Sequence, residues 1–208
     1  MTDGPRRHFS MFREFHLADV LTLGNAACGT GSVFAAMAFV QSGARGLFYL
    51  AALLCPIALV FDALDGRVAR FRHQHSILGR ELDSLADVIS FGVAPAALGF
   101  AAGLQTALDI AVLLYFVACG VSRLARFNVT AEMLSAGGDK VKYFEGTPIP
   151  SSVLLAAVLA VATATGRHGD TLWFGVLALG PVGLHPLVLL FALSGSLMVS
   201  KTLHVPKL

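Results

Sequence analysis

The chain has 208 residues, of which 56% are hydrophobic and only 13% charged. About a quarter of the residues of a soluble domain carry charge, so this composition excludes an ordinary water-soluble fold and predicts an all-α polytopic membrane protein. A formal net charge of +2 with no basic run is too small to argue for nucleic acid, and none is expected as a partner.

Residues 1–16 are polar and basic, with Arg6, Arg7 and Arg13, and predict a disordered or surface-lying cytoplasmic arm. Apolar runs then predict about six transmembrane helices, near 18–40, 47–64, 84–104, 107–122, 149–166 and 171–200. The first run is too long for a signal peptide and lacks a small-residue cleavage site, so it reads as a span. The second helix is expected to continue past the membrane edge through Arg70. Gly92 and Pro95 predict a kink near the middle of the third. The last run is interrupted by Gly180-Pro181 and His185-Pro186. It reads as one broken span, the alternative being a short helix followed by a span. Residues 17–202 are thus expected to form one transmembrane domain, with 203–208 as a cytoplasmic tail. Cys28, Cys55 and Cys119 lie far apart in apolar segments, without metal or redox spacing, and read as small core residues.

Loop charge predicts the orientation. With a cytoplasmic N-terminus, thirteen of the fifteen Lys and Arg residues fall on the cytoplasmic side, leaving only Arg45 and Arg167 opposite. That bias predicts an even number of spans, both termini cytoplasmic, and a cytoplasmic site at the foot of the second and third helices.

The site is marked by the pattern Asp62-x2-Asp65-Gly66-x2-Ala69-Arg70-x8-Gly79-x3-Asp83-x3-Asp87. Asp62 and Asp65 are three apart and Asp83 and Asp87 four apart, so each pair shares one helix face. The polar run His73-Gln74-His75-Ser76 and Gly79 allow the chain to turn, so the two pairs can face each other. Isolated acid pairs at a membrane edge are ordinarily solvated charges. Four together beside apolar helices demand cations, and an all-oxygen set suits Mg²⁺ or Mn²⁺. One divalent ion would leave four aspartates at a net −2, which repels a diphosphate. Two ions bring the cluster to neutrality and suit a two-metal clamp on a phosphoanhydride. Asp87, deepest in the third span, is the expected base for an attacking alcohol. Gly66, Ala69 and Gly79 keep space open, and Arg70 can pair with a phosphate. Ser76 can contact phosphate or cap the third helix. His73 and His75 read as exposed loop residues.

This pattern resembles, at all eight positions, the signature of the CDP-alcohol phosphatidyltransferase family. The resemblance implies a six-helix bundle, usually homodimeric. Its members move a phosphatidyl group from a CDP-linked lipid to an alcohol and release CMP. By position it implies metal binding by Asp62, Asp65, Asp83 and Asp87, with Asp87 also the base, and CDP-lipid contacts from Gly66, Arg70, Ser76 and Gly79. The segments Asp83–Ala96, Ser122–Asn128 and Phe144–Pro150 are similar to the phosphatidylserine synthase branch of the family. That branch implies CDP-diacylglycerol and serine as substrates. Arg123 and Arg126 would grip the serine carboxylate, and Asn128 or Glu145 would meet its ammonium. Taken alone, the two arginines also suit anchoring to lipid phosphates. Two rival readings stand beside this one. The nearer keeps the chemistry with glycerol phosphate or inositol phosphate as acceptor. The more distant is a divalent-cation transporter, which would carry acids near the midplane of several spans.

Overall fold

The structure, a computed structural model, describes residues 17–71, 77–135, 143–180, 182–200 and 204–206; for some of these, among them Ala69, Arg70 and Glu145, only the backbone is described. The N-terminal arm, Ser76 and the two loop histidines lie outside the described residues.

Helices dominate. In chain order they are α1 (Leu17–Ser42), α2 (Arg45–Phe71), α3 (Ile77–Asp87), a π-helical turn (Val88–Val93), α4 (Ala94–Ala102), α5 (Ala107–Ser135), α6 (Val153–Ala164) and α7 (Leu189–Val199). Four stretches are long and apolar enough to cross a membrane: Leu17–Ser42, Arg45–Val68, Leu78–Ala102 and Ala107–Thr130. Two shorter apolar helices, Ile149–Ala164 and Pro186–Val199, complete the set, so the chain is an all-α polytopic membrane protein.

α1 shows how the bundle is organised. Its buried residues include Asp19, Thr22, Asn25, Gly29 and Ser32, spaced three or four apart along one face. Val20, Leu23, Phe34, Met37 and Val40 are exposed and suit contact with lipid. Polar groups turned inward and apolar groups outward is the arrangement a bilayer imposes. Gly43 closes α1 in a left-handed conformation (φ 69°), its N–H donating to Phe39 O at 2.8 Å, so α2 folds straight back along α1. Ser32 Oγ fastens the pair by donating to Ala51 O at 2.8 Å.

The third span, where Gly92 and Pro95 lie, changes to a π-helical turn beginning directly after Asp87. Pro95 has no N–H to give and its ring crowds the carbonyl one turn back, which disfavours a continuous α-helix there. The Ala94 N–H accordingly donates to Ile89 O, five residues back. α1 crosses this turn closely. A Cβ on Gly29 would lie 2.7 Å from Ser90 Cα, so only glycine permits the approach. Ser90 Oγ donates to Asn25 O at 2.9 Å in the same contact.

The final run departs from the expected broken span. Its first half forms a two-stranded antiparallel hairpin, β2 (Leu177–Leu179) with β3 (Val182–Leu184), and helix resumes only at Pro186. Gly175 and Gly180 have positive φ, and a proline follows Gly180, so the segment turns rather than coils. Residues 204–206, in the expected tail, pair as β4 with β1 (Tyr143–Glu145).

Candidate active site

α2 and α3 bring the two acid pairs together. Oxygens of Asp62, Asp83 and Asp87 all lie within 4.8 Å of one another. Asp87 is buried and the other two are half-buried. At that spacing each pair of unit charges repels by roughly 3 kcal/mol at an effective dielectric near 20. Among the described residues no guanidinium or ammonium pairs with these three acids, and Asp83 Oδ1 is buried without any partner. Hard oxygen donors, clustered and with no cationic side chain in ion-pair contact among the described residues, fit Mg²⁺ or Mn²⁺.

Asp65, the fourth acid, is buried beside this trio but is not part of it. Its Oδ2 accepts from Thr22 Oγ1 at 2.7 Å. The Thr22 hydroxyl is also 3.1 Å from Ala18 O. With one proton to give, the shorter, charge-assisted bond to the carboxylate prevails. Asp87 Oδ1 accepts from Asn25 Nδ2 at 3.2 Å. Thr22 and Asn25 were not among the expected site residues. Polar groups every three or four positions on an otherwise apolar α1 were the available signal.

Gly66 has open space where a side chain would stand. Gly79 sits half-buried near the start of α3. Arg70 continues α2 beyond the acids, and its side chain lies outside the described residues, as does Ser76.

A cavity of about 140 Å³ opens beside Asp83 and Asp87, between α3 and α5. Arg80, Ser84, Arg123 and Asn128 complete its polar wall, and Leu124, Phe127, Pro148 and Pro150 its apolar one. The Nε atoms of Arg80 and Arg123 are buried without partners. Arg80 was also not expected, although it shares a helix face with Asp83, Ser84 and Asp87 by spacing. Asn128 is already engaged: Oδ1 accepts from Ser84 Oγ at 3.2 Å and Nδ2 donates to Glu81 Oε2 at 3.3 Å. Arg126 does not line the cavity; it is exposed and its Nη2 donates to Val199 O at the end of α7, 3.3 Å away. Glu145 is described only as backbone, in β1.

Residues 15–193 match the family model described as CDP-alcohol phosphatidyltransferase. A CDP-diacylglycerol–serine O-phosphatidyltransferase of Saccharomyces cerevisiae is 43% identical over 203 residues, covering 96% of this chain and 74% of the yeast protein. An archaetidylserine synthase of Methanothermobacter thermautotrophicus is 41% identical over 157 residues, 74% of this chain and 60% of its own. A CDP-diacylglycerol–serine O-phosphatidyltransferase of Mycobacterium leprae is 36% identical over 178 residues, 84% of this chain and 56% of its own.

Proposed function

From the premise that the chain belongs to the CDP-alcohol phosphatidyltransferase family, we propose that it transfers a phosphatidyl group from CDP-diacylglycerol to L-serine, giving phosphatidylserine and CMP. The observation that carries this is the convergence of Asp62, Asp83 and Asp87 beside a cavity that contains Arg123. The relatives' names support serine more strongly than they support one lipid. Two name CDP-diacylglycerol and one an archaetidyl product, while all three name serine.

The reaction is a single in-line displacement. The serine hydroxyl oxygen forms a bond to the lipid-side phosphorus as the bond to CMP breaks, and CMP leaves with the electron pair. Asp87 takes the hydroxyl proton, and Asn25 steadies its carboxylate by donating to Oδ1. Arg123 orients the serine carboxylate, with Arg80 the second guanidinium in the same cavity. The ammonium is met at the Glu81–Asn128 side, where a carboxylate already organises the amide. Asp62, Asp65, Asp83 and Asp87 would hold two divalent ions, which supply charge neutralisation and polarise the diphosphate oxygens. Gly66 leaves room for the diphosphate, and Arg70, Ser76 and Gly79 complete the CDP-lipid contacts. The site faces the cytoplasm, as the loop charges imply, and the bundle works as a homodimer.

The test is CMP release by purified protein in lipid nanodiscs with CDP-diacylglycerol and Mn²⁺. Serine, glycerol phosphate and inositol phosphate are compared as acceptors. Release that depends on serine, with the two phosphates at background, supports the assignment. Faster release with either phosphate would overturn it in favour of an acceptor whose phosphate binds Arg80 and Arg123.

A further inference from the structure

α1 contributes no acid to the trio, yet it touches two of the four aspartates through buried side chains. Asn25 is completely buried and Thr22 nearly so. Each presents one donor to one carboxylate oxygen: Thr22 Oγ1 to Asp65 Oδ2 and Asn25 Nδ2 to Asp87 Oδ1. The Asn25 backbone is itself pinned, because its carbonyl accepts from Ser90 Oγ in the π turn. The amide therefore has little freedom to follow Asp87 if that carboxylate rotates.

This has a consequence for metal choice. A carboxylate with both oxygens free can swing and chelate one ion in bidentate fashion. Ca²⁺ accepts that readily, with six to eight ligands at relaxed geometry, whereas Mg²⁺ demands a near-ideal octahedron. A donor that holds one oxygen leaves a single oxygen at a fixed angle. Partners of this kind commonly change metal affinity by 10- to 100-fold when removed.

We propose that Thr22 and Asn25 are positioning residues that restrict Asp65 and Asp87 to one metal-facing oxygen each, so that α1 makes the cage selective for small octahedral cations over Ca²⁺. The inference rests on the proposed metal-dependent reading of the aspartates. It differs from it in saying which cations are refused and why.

The test uses the full chain in nanodiscs without substrate. Mn²⁺ binding is followed by the electron paramagnetic resonance signal of the free ion, and Ca²⁺ by its power to displace Mn²⁺. Thr22→Val preserves shape and removes the hydroxyl, Thr22→Ser restores it, and Asn25→Leu removes the amide. Ser32→Ala is the control, since Ser32 lies on the same buried face but bonds to the Ala51 carbonyl. The expected result is Mn²⁺ binding weakened roughly 10- to 100-fold in Thr22→Val and Asn25→Leu. Ca²⁺ should be weakened less, so that it competes better, while Thr22→Ser and Ser32→Ala behave as the unaltered chain. Equal weakening of both ions, no weakening, or the same loss in Ser32→Ala overturns the proposal. So does failure of Thr22→Val or Asn25→Leu to fold, which would assign those bonds to the bundle and not to the cage. An unaltered chain that binds no Mn²⁺ at all would instead sink the metal reading itself.

Discussion

Asp87 and Asp109 are both buried aspartates in the helical bundle, and their surroundings are opposite in kind. Asp109 sits in the first turn of α5 and is fully satisfied by its own chain. Its Oδ1 accepts from the His185 N–H at 3.0 Å. Its Oδ2 accepts from the Thr106 N–H at 3.1 Å and lies 2.6 Å from His185 Nδ1. The Thr106 hydroxyl returns the favour by accepting from the Asp109 N–H at 3.2 Å, which caps the helix. About 20 Å further along α5, at 1.5 Å per residue, Arg123 looks into a cavity where Asp87 has one donor and two other carboxylates for company. A buried acid with its lone pairs taken is part of the fold. Acids turned toward each other, with an oxygen left over, describe a site that awaits something positive.

The sharpest way to break this contrast is to neutralise each acid in turn. Asp87→Asn keeps the shape and removes a like charge from the trio. Serine-dependent CMP release should fall by roughly 10²- to 10⁴-fold, the usual contribution of a general base, with no drop in melting temperature. Asp109→Asn should do the reverse. It puts an amide N–H₂ where donors converge and should cost about 1–3 kcal/mol of stability. The fraction that stays folded should turn over at the normal rate. Calorimetry beside the release assay reads both, and loss of turnover in folded Asp109→Asn protein would erase the distinction.

Removing divalent ions tests the same difference without mutation. Chelator should take CMP release to background and also lower the melting temperature, because the repulsion within the trio is then unscreened. Added Mg²⁺ or Mn²⁺ should restore both. The Asp109–His185 end needs no ion, so in Asp87→Asn, where one of the repelling charges is gone, chelator should shift the melting temperature less.

Within the cavity, Arg123 and Arg126 should separate. Arg123→Ala removes a guanidinium from the polar wall and should raise the serine KM about 10- to 100-fold, the range of a charge-assisted hydrogen bond, with little change in the CDP-lipid requirement. Arg126→Ala frees only an exposed bond to Val199 O and should change the serine KM less than about threefold. Steady-state kinetics with each substrate varied would show the split. Equal effects of the two substitutions would remove Arg123 from the acceptor pocket.

These residues also show where the sequence was readable. The aspartate pattern is local, and helical spacing alone puts each pair on one face, so the candidate acids and the membrane class could be read directly, but not that Asp65 stands apart from the other three. Gly92 and Pro95 marked where the third span departs from α-helix but not its π-helical form, which depends on how the freed carbonyls re-pair. Thr22 and Asn25 meet acids 43 and 62 residues away, and no local spacing reports such a pairing. Arg123 and Arg126 are three apart, yet one lines the cavity and the other reaches α7, a division that only the packing of α5 decides. The 171–200 run misled because hydropathy does not distinguish an apolar hairpin from an apolar helix. The glycines at 175 and 180 and Pro181 carried the better signal.

The smallest expected effects come from the glycines that support the site's end of the bundle, and they too form a contrasting pair. A methyl group on Gly29 would lie 2.3 Å from Ser90 Oγ and 2.9 Å from its backbone nitrogen. Gly29→Ala must therefore push α1 from the π turn and stretch the Ser90–Asn25 bond behind Asp87. Overpacking of this kind costs about 1–3 kcal/mol. Gly92 lies in the same turn, but a Cβ there meets nothing within 4 Å. Gly92→Ala should leave activity unchanged and the melting temperature level or slightly higher, since alanine is favoured over glycine by up to about 1 kcal/mol in a helix. If both substitutions proved equally harmless, the close crossing of α1 over the π turn would not be what holds Asn25 against Asp87.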